Sequence, residues 1–413
     1  MKKHYLCVYL LACGFLHGQN VVTDWATIVQ PAINTPPKSP VIQHLMRATI
    51  HIAIYDAAVA VEGGYRPYAS TVRALPGADI RAAVATAAYR TARPFVDPAR
   101  AAAFEAQYEA YIAAIPNGEA KTNGILAGQN AAAAILASRA DDGMNRTVLY
   151  ECTSGTLPIG QFEPDGGCGT QPVSVNFGQI KPFTFSDPSR FRPMGPDPMT
   201  SPSYTADFIE TRDYGRFDSS IRTAEQTDIA YFWQANIGNT HPDLVNLAVS
   251  RRLSVRDAAR FFAMVYTSAA DSGIVGFEAK YYYQLWRPRV AIPKADLDGN
   301  SDTAPDATWK PLISVNHPEY PSAHAFVTGA IVDAIARFFG TGKVTWTLTA
   351  SKAAIPQLVK TERTYTDLNA VTREMDDARV WAGLHWRHSM YHGADIGRQV
   401  ARHVCDNFFQ PAR

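Results

Sequence analysis

Three stretches in the last third of the chain carry residues able to hold and process a small anion. In KYYYQLWRPRV, residues 280–290, a lysine is followed after six residues by an Arg-Pro pair. On a continuous helix Lys280 and Arg287 fall on nearly one face, about 10 Å apart along the axis. Pro288 removes a donor and disfavours helical geometry at Arg287, so the helix is predicted to stop there and present Arg287 at its mouth. Two cations pointing one way form half of an anion site; the plainer alternative is two long side chains lying along a solvated face. In HPEYPSAHAF, from His317, Pro321 suits the first turn of a helix. The amides of Ser322, Ala323 and His324 and the positive end of the helix dipole would then face a cleft. Ser322 adds a hydroxyl, and His324 can move a proton beside whatever is bound. In ARVWAGLHWRHSM, from Ala378, Gly383 can end a helix carrying Arg379, setting His385 in a tight turn before a last helix near Ser389. Each residue taken singly reads more readily as structural.

Together the stretches give lysine, six residues, Arg-Pro; then Pro-Ser-x-His; then arginine, five residues, histidine. In this composite order the chain resembles the vanadium-dependent haloperoxidases, which share their site with the type 2 phosphatidic acid phosphatases and the bacterial acid phosphatases. IHIAIYDAAVAVEGGYRPY, VNFGQIKPFTFSDPSRFRP and HPEYPSAHAF resemble the bacterial haloperoxidase-related branch, and the likeness runs from about Val22 to the C-terminus. The resemblance implies a vanadate cofactor, or phosphate in its place. Lys280, Arg287 and Arg379 would neutralise the oxyanion, with Ser322 and the amide of Ala323 adding hydrogen bonds. His324 would be the acid–base residue and His385 the axial vanadium ligand, or the nucleophile of a phosphatase. Hydrogen peroxide, a halide and a small organic molecule are the implied substrates, with Lys280 helping to activate peroxide.

Two positions depart from the family pattern. Ala323 stands where glycine is usual; the amide survives, but its Cβ requires a negative φ and crowds the anion. Ser389 stands where aspartate is usual, and as a helix cap it cannot hold an imidazolium by charge. That weakens a phosphatase more than a haloperoxidase. His317 matches a position that is histidine in algal bromoperoxidases and phenylalanine in chloroperoxidases, a pointer to bromide or iodide; a histidine capping the loop is the alternative. Trp286 and Trp381 flank the motifs and either wall a pocket or pack the core.

The elements that must position these residues read as helices. Segments 41–62, 80–93, 98–114 and 119–139 are alanine-rich with apolar positions three and four apart, and helical periodicity resumes over 205–215, 222–236, 242–250, 254–285, 322–339, 365–382 and 389–409. The fold expected is all-α: an N-terminal helical bundle over 22–140, an irregular Gly/Pro-rich connection over 141–204, and a C-terminal bundle over 205–413 carrying the site. The two bundles, each of a four-helix type, should pack as one body, with any strands short and peripheral. ADLDGNSD, 295–302, lacks the glycine position and final glutamate of a calcium loop and reads as a polar turn.

With 413 residues, 46% of them hydrophobic, the chain can bury a large core. Lys plus Arg number 39 against 38 Asp plus Glu, which supplies no field for nucleic acid or an acidic membrane. Residues 1–18 have a basic start and a short apolar run typical of a signal peptide, with lipoprotein-type cleavage before Cys13 as the competing reading. Export, to the periplasm, the medium or a lipid anchor, is therefore expected, with no transmembrane helix in the mature body. In an oxidising compartment Cys152 and Cys168 should pair and Cys405 should remain a buried thiol. No Cys/His spacing resembles a zinc site. A haloperoxidase, an acid phosphatase working through phosphohistidine, and a non-catalytic exported oxyanion-binding protein all fit the motifs. Oligomeric state is not legible.

Overall fold

Helix starts follow side chains able to satisfy free first-turn amides. Asp79 accepts from the amides of Arg81 and Ala82, Ser254 from Asp257, and Thr223 with Gln226 forms a reciprocal capping box. The computed structural model describes residues 20–412, so the leader-like segment and its two cleavage readings lie outside the described residues.

The chain runs α1 (Val21–Ile33), α2 (Pro40–Glu62), α3 (Ile80–Ala92), α4 (Pro98–Ala113) and α5 (Glu119–Ser138), then the irregular connection. There follow α6 (Pro202–Gly215), α7 (Ala224–Asn236), α8 (Thr240–Ser250), α9 (Val255–Tyr283), the single turn α10 (Pro288–Ala291) and α11 (Ala323–Phe339). Strands β1 (Trp346–Thr349) and β2 (Glu362–Tyr365) pair antiparallel before α12 (Leu368–Trp381) and α13 (Arg387–Asn407). The fold is all-α with this one hairpin among the described residues. The hairpin is short, yet not merely peripheral: Trp346 and Leu348 are buried and line a cavity of about 500 Å³. α1 lies within the N-terminal segment but its limits were not legible, because Pro31 sits in its last turn.

α9 is the axis. Its 29 residues span about 43 Å, and nearly every side chain from Ala258 to Lys280 is buried. α2, α11 and α13 pack around it, and one apolar cluster extends from Val21 to Phe409. α13 approaches α11 closely because Gly393 and Gly397, one turn apart, face it. A Cβ on Gly397 would stand 2.5 Å from the Phe326 carbonyl, and one on Gly393 2.9 Å from that of Ser322. This closeness lets the Ser322 amide donate to the Ser389 carbonyl at 3.1 Å.

The connection is tied to α9. Asp271 of α9 accepts from the amides of Phe183 at 2.6 Å and Thr184 at 3.0 Å. Cys152 and Cys168 form a disulfide with Cα atoms 5.3 Å apart, and Cys405 is a buried free thiol. No described helix is long and apolar enough to cross a membrane.

Candidate active site

Lys280 is buried one turn before the end of α9, which stops earlier than the sequence suggested. Gln284 adopts a left-handed conformation, φ 50° and ψ 39°, costing a non-glycine residue roughly 1–2 kcal/mol. The connection holds it there. The Gln284 carbonyl accepts from Phe162 N at 2.6 Å, and its side-chain oxygen accepts from Tyr150 Oη at 3.0 Å and Gln161 Nε2 at 2.8 Å. Trp286 N donates to the Gly160 carbonyl at 2.8 Å. Lys280 and Arg287 therefore do not share one helical face; the chain turns, and Arg287 caps α10 with Pro288 as that helix's first residue. Both cations then reach the irregular segment from His317 to Glu319. Lys280 Nζ donates to the carbonyls of Pro318 at 2.8 Å and Glu319 at 2.9 Å, and Arg287 donates to those of His317 at 2.7 Å and Pro318 at 3.2 Å.

Pro321 stands outside α11, preceded by a cis bond, and the helix begins at Ala323. The Ser322 amide is spent on Ser389, so the free first-turn amides are those of Ala323, His324 and Ala325 rather than 322–324. As the first residue of a helix Ala323 takes a negative φ, which its Cβ tolerates. Ser322 Oγ, His324 Nε2 and the Nε and Nη1 of Arg379 are buried without a partner. Arg379 gives only Nη2 to Gln234, at 3.0 Å. Gly383, at φ +72°, ends the α12 segment as the sequence suggested.

His385 sits between this cradle and a carboxylate the sequence reading did not single out. Its Nδ1 lies 2.7 Å from Glu319 Oε1, while Nε2 faces Arg287 Nη1 at 3.3 Å. Glu319 also accepts from Trp386 N at 3.1 Å and Ser389 Oγ at 2.7 Å. Ser389 is inside α13, which starts at Arg387, and is not a helix cap. The negative charge missing at position 389 is thus supplied by Glu319 through the serine hydroxyl and directly to His385. That removes the argument against a phosphatase drawn from Ser389. A carboxylate in the short spacer between His317 and Pro321 was the available signal.

Burial, then Arg287, Lys280 and Arg379, press the His385 pKa well below its ordinary value. The imidazole is neutral, Nδ1–H donates to Glu319, and Nε2 carries the lone pair. Three cations, Lys280, Arg287 and Arg379, at most 1% exposed, meet one fully buried carboxylate. Burial lowers Lys280 well below its usual value, with Arg287 adding to the shift and Glu319 opposing it. Burial and then Arg287 bring Arg379 to about 9. Burial raises the Glu319 pKa, against the pull of His388 and Arg287. Unpartnered donors beside uncompensated buried cations are what an oxyanion would satisfy, so the residues fit vanadate or phosphate.

His324, Ala323, Arg379, His385 and His317 line the same cavity of about 500 Å³; Lys280, Arg287 and Ser322 stand behind its wall. His317 Nδ1 accepts from Arg287 Nη2 at 2.9 Å, bracing that cation. Trp286 and Trp381 pack in separate apolar clusters, and neither lines the cavity; Trp233, which was not singled out, does. Val173 and Ser174 of the connection also line it.

A family model described as the VCPO second helical-bundle domain matches residues 260–412. Vanadium chloroperoxidase of Curvularia inaequalis is 28% identical over 158 residues, 31% of this chain; the match spans a quarter of that protein's length. Among solved structures, the first bacterial vanadium-dependent iodoperoxidase superposes with a TM-score of 0.76 at 16% identity, covering 95% of this chain and 96% of that one. Holo-type bacterial vanadium-dependent chloroperoxidase gives 0.69 at 18% identity, covering 89% and 91%. At these identities the superpositions speak for the fold, and the sequence matches add the segment that holds the site. The chain is a relative of the vanadium haloperoxidases.

Proposed function

We propose that this protein is a vanadate-dependent haloperoxidase that oxidises bromide or iodide with hydrogen peroxide. The observation that carries the reading is His385, neutral and held by Glu319 through Nδ1, turning an unprotonated Nε2 toward Arg287 in a site where Arg379 and Ser322 keep unpartnered donors. Lys280, Arg287 and Arg379 would neutralise the oxyanion, Ser322 Oγ and the first-turn amides of α11 would hydrogen-bond it, and His385 Nε2 would be its protein ligand. Vanadate bound there supplies Lewis acidity that makes peroxide electrophilic toward a halide. His324 is held by a hydrogen bond to the Trp233 backbone, and its Nε2 has no protein partner. It can take a proton from incoming peroxide and return it to the departing oxygen. Lys280 brings further positive charge to the peroxide. His317, bound to Arg287, is the residue through which halide preference would act.

The Glu319–His385 pair equally suits a phosphatase, since a carboxylate behind a nucleophilic histidine is what phosphohistidine formation needs. Purified protein is expected to oxidise iodide or bromide with peroxide only after vanadate is added, with phosphate competing. If vanadate-loaded protein oxidises no halide while the vanadate-free form hydrolyses p-nitrophenyl phosphate through His385, the phosphatase reading replaces the first. Vanadate binding with neither activity leaves an oxyanion-binding protein. Export to an oxidising compartment is part of this proposal, and the Cys152–Cys168 disulfide supports it.

A further inference from the structure

The cavity extends well beyond the oxyanion residues. Along α11 its lining passes from His324 through Val327 to Ile331, and along α12 from Arg379 to Val371. Seven and eight helical residues correspond to about 10 and 12 Å. A halide and peroxide need none of that length. Phe277, Trp346 and Leu348 complete an apolar wall, and the lining contains no aspartate, glutamate or lysine. An organic cation would find no counter-charge there, and an organic anion would be drawn to the oxyanion cradle instead.

Two polar groups that line the chamber away from the oxyanion residues are buried without a partner, Ser39 Oγ and His44 Nδ1, and of these only His44 belongs to a ring that makes no hydrogen bond at all. His44, on α2, is 6% exposed, and its neighbour is the Tyr266 ring, 6.4 Å away. Burial and nearby Arg47 push its pKa down to about 3, so it is neutral. A neutral histidine in an apolar wall can bond one hydroxyl or carbonyl and little else.

We propose that this chamber binds the organic molecule to be halogenated, an uncharged phenol of one or two rings, with its ring between α11 and α12 and its hydroxyl bonded to His44. This rests on the haloperoxidase reading. Electron-rich rings are the ones an oxidised halogen attacks. In the balanced reaction the halide gives two electrons to peroxide, whose O–O bond breaks to yield two waters with uptake of one proton from solvent and one from the ring. The ring carbon loses that proton as its bond to halogen forms.

The probe is 1-naphthol, with 1-methoxynaphthalene as the partner lacking the O–H. Calorimetric titration of the vanadate-free protein is expected to give one saturable site for 1-naphthol, weakened about tenfold or more by Val327→Trp or, from the opposite wall, Val371→Phe. His44→Ala should weaken 1-naphthol and leave the ether's affinity unchanged. In vanadate-loaded protein, bromination should give a 2- to 4-bromo product ratio different from that of free hypobromite in the same buffer. The proposal is overturned if the wild-type protein shows no saturable binding, if neither filling variant alters it, or if the ratio equals that of free hypobromite. Should no halide be oxidised at all, the functional reading fails and the titrations alone decide the chamber.

Discussion

Replacing Glu319 by glutamine removes a charge while keeping a side chain of the same size. The three donors that converge on the carboxylate are His385 Nδ1–H, Trp386 N–H and the Ser389 hydroxyl. A glutamine oxygen can still accept from the first two, and Ser389 can rotate to accept from the amide nitrogen. The fold should therefore survive. The loss is the charge behind the imidazole: a hydrogen bond to a charged group is worth about 1.5–3 kcal/mol against about 0.5–1.5 for a neutral one. A difference of about 1.4 kcal/mol is tenfold in affinity. Vanadate, which must bond to His385 Nε2, is expected to bind about tenfold more weakly. Phosphate held by charge alone should bind as tightly or more tightly, because three cations would then face no carboxylate. Equilibrium titration of both anions on wild type and Glu319→Gln reads the split. Parallel weakening of both, or tighter binding of both, would refute the idea that Glu319 acts through His385.

Other outcomes follow from the same geometry. Arg379→Ala should weaken vanadate by about one to two decades, since a charge-assisted bond is worth roughly 1.5–3 kcal/mol, measured by titration. His324→Ala should retain vanadate but lose about 10²–10⁴-fold in halide oxidation, the usual range for acid–base catalysis, measured as initial rates. Because burial and Arg287 hold the Lys280 pKa down and a bound anion pulls it back up, vanadate binding should take up protons and weaken as pH rises. Calorimetry in buffers of different ionisation enthalpy measures this uptake. Cys152→Ser should cost about 3 kcal/mol of stability for a bridge of sequence separation 16, read as a lower urea midpoint.

Much of the helical frame was legible because apolar positions recur three and four apart and helix ends carry their signals, as Gly383 does after α12. The residues of the site were legible as a pattern of types; their convergence was not. Lys280 and Arg287 come together through a left-handed glutamine, and no local rule predicts that conformation for a residue with a side chain. It exists because Tyr150, Gln161 and Phe162 hold it from a distant part of the chain. Glu319 was passed over for a related reason: family expectation placed the carboxylate at 389, and only the close packing of α13 on α11 brings Ser389 onto Glu319. The Pro321 geometry was missed because a proline before a helix reads equally well just inside or just outside it.

The hold that residues 150–162 keep on Gln284 bears on how this half of the chain can be moved about, in the laboratory or by recombination. The segment 260–412 contains Lys280, Arg287, Ser322, His324, Arg379, His385 and Glu319, and so looks like a transplantable unit. It lacks Gly160 and Phe162, whose backbone groups pair with Trp286 and Gln284, and the Tyr150 and Gln161 side chains that occupy the Gln284 amide oxygen. Cut free, the end of α9 would lose what offsets its left-handed residue, and the two cations would be released from their shared register. A fragment ending at the motif boundary would inherit every reactive group and not their arrangement, so the connection has to travel with the bundle it serves.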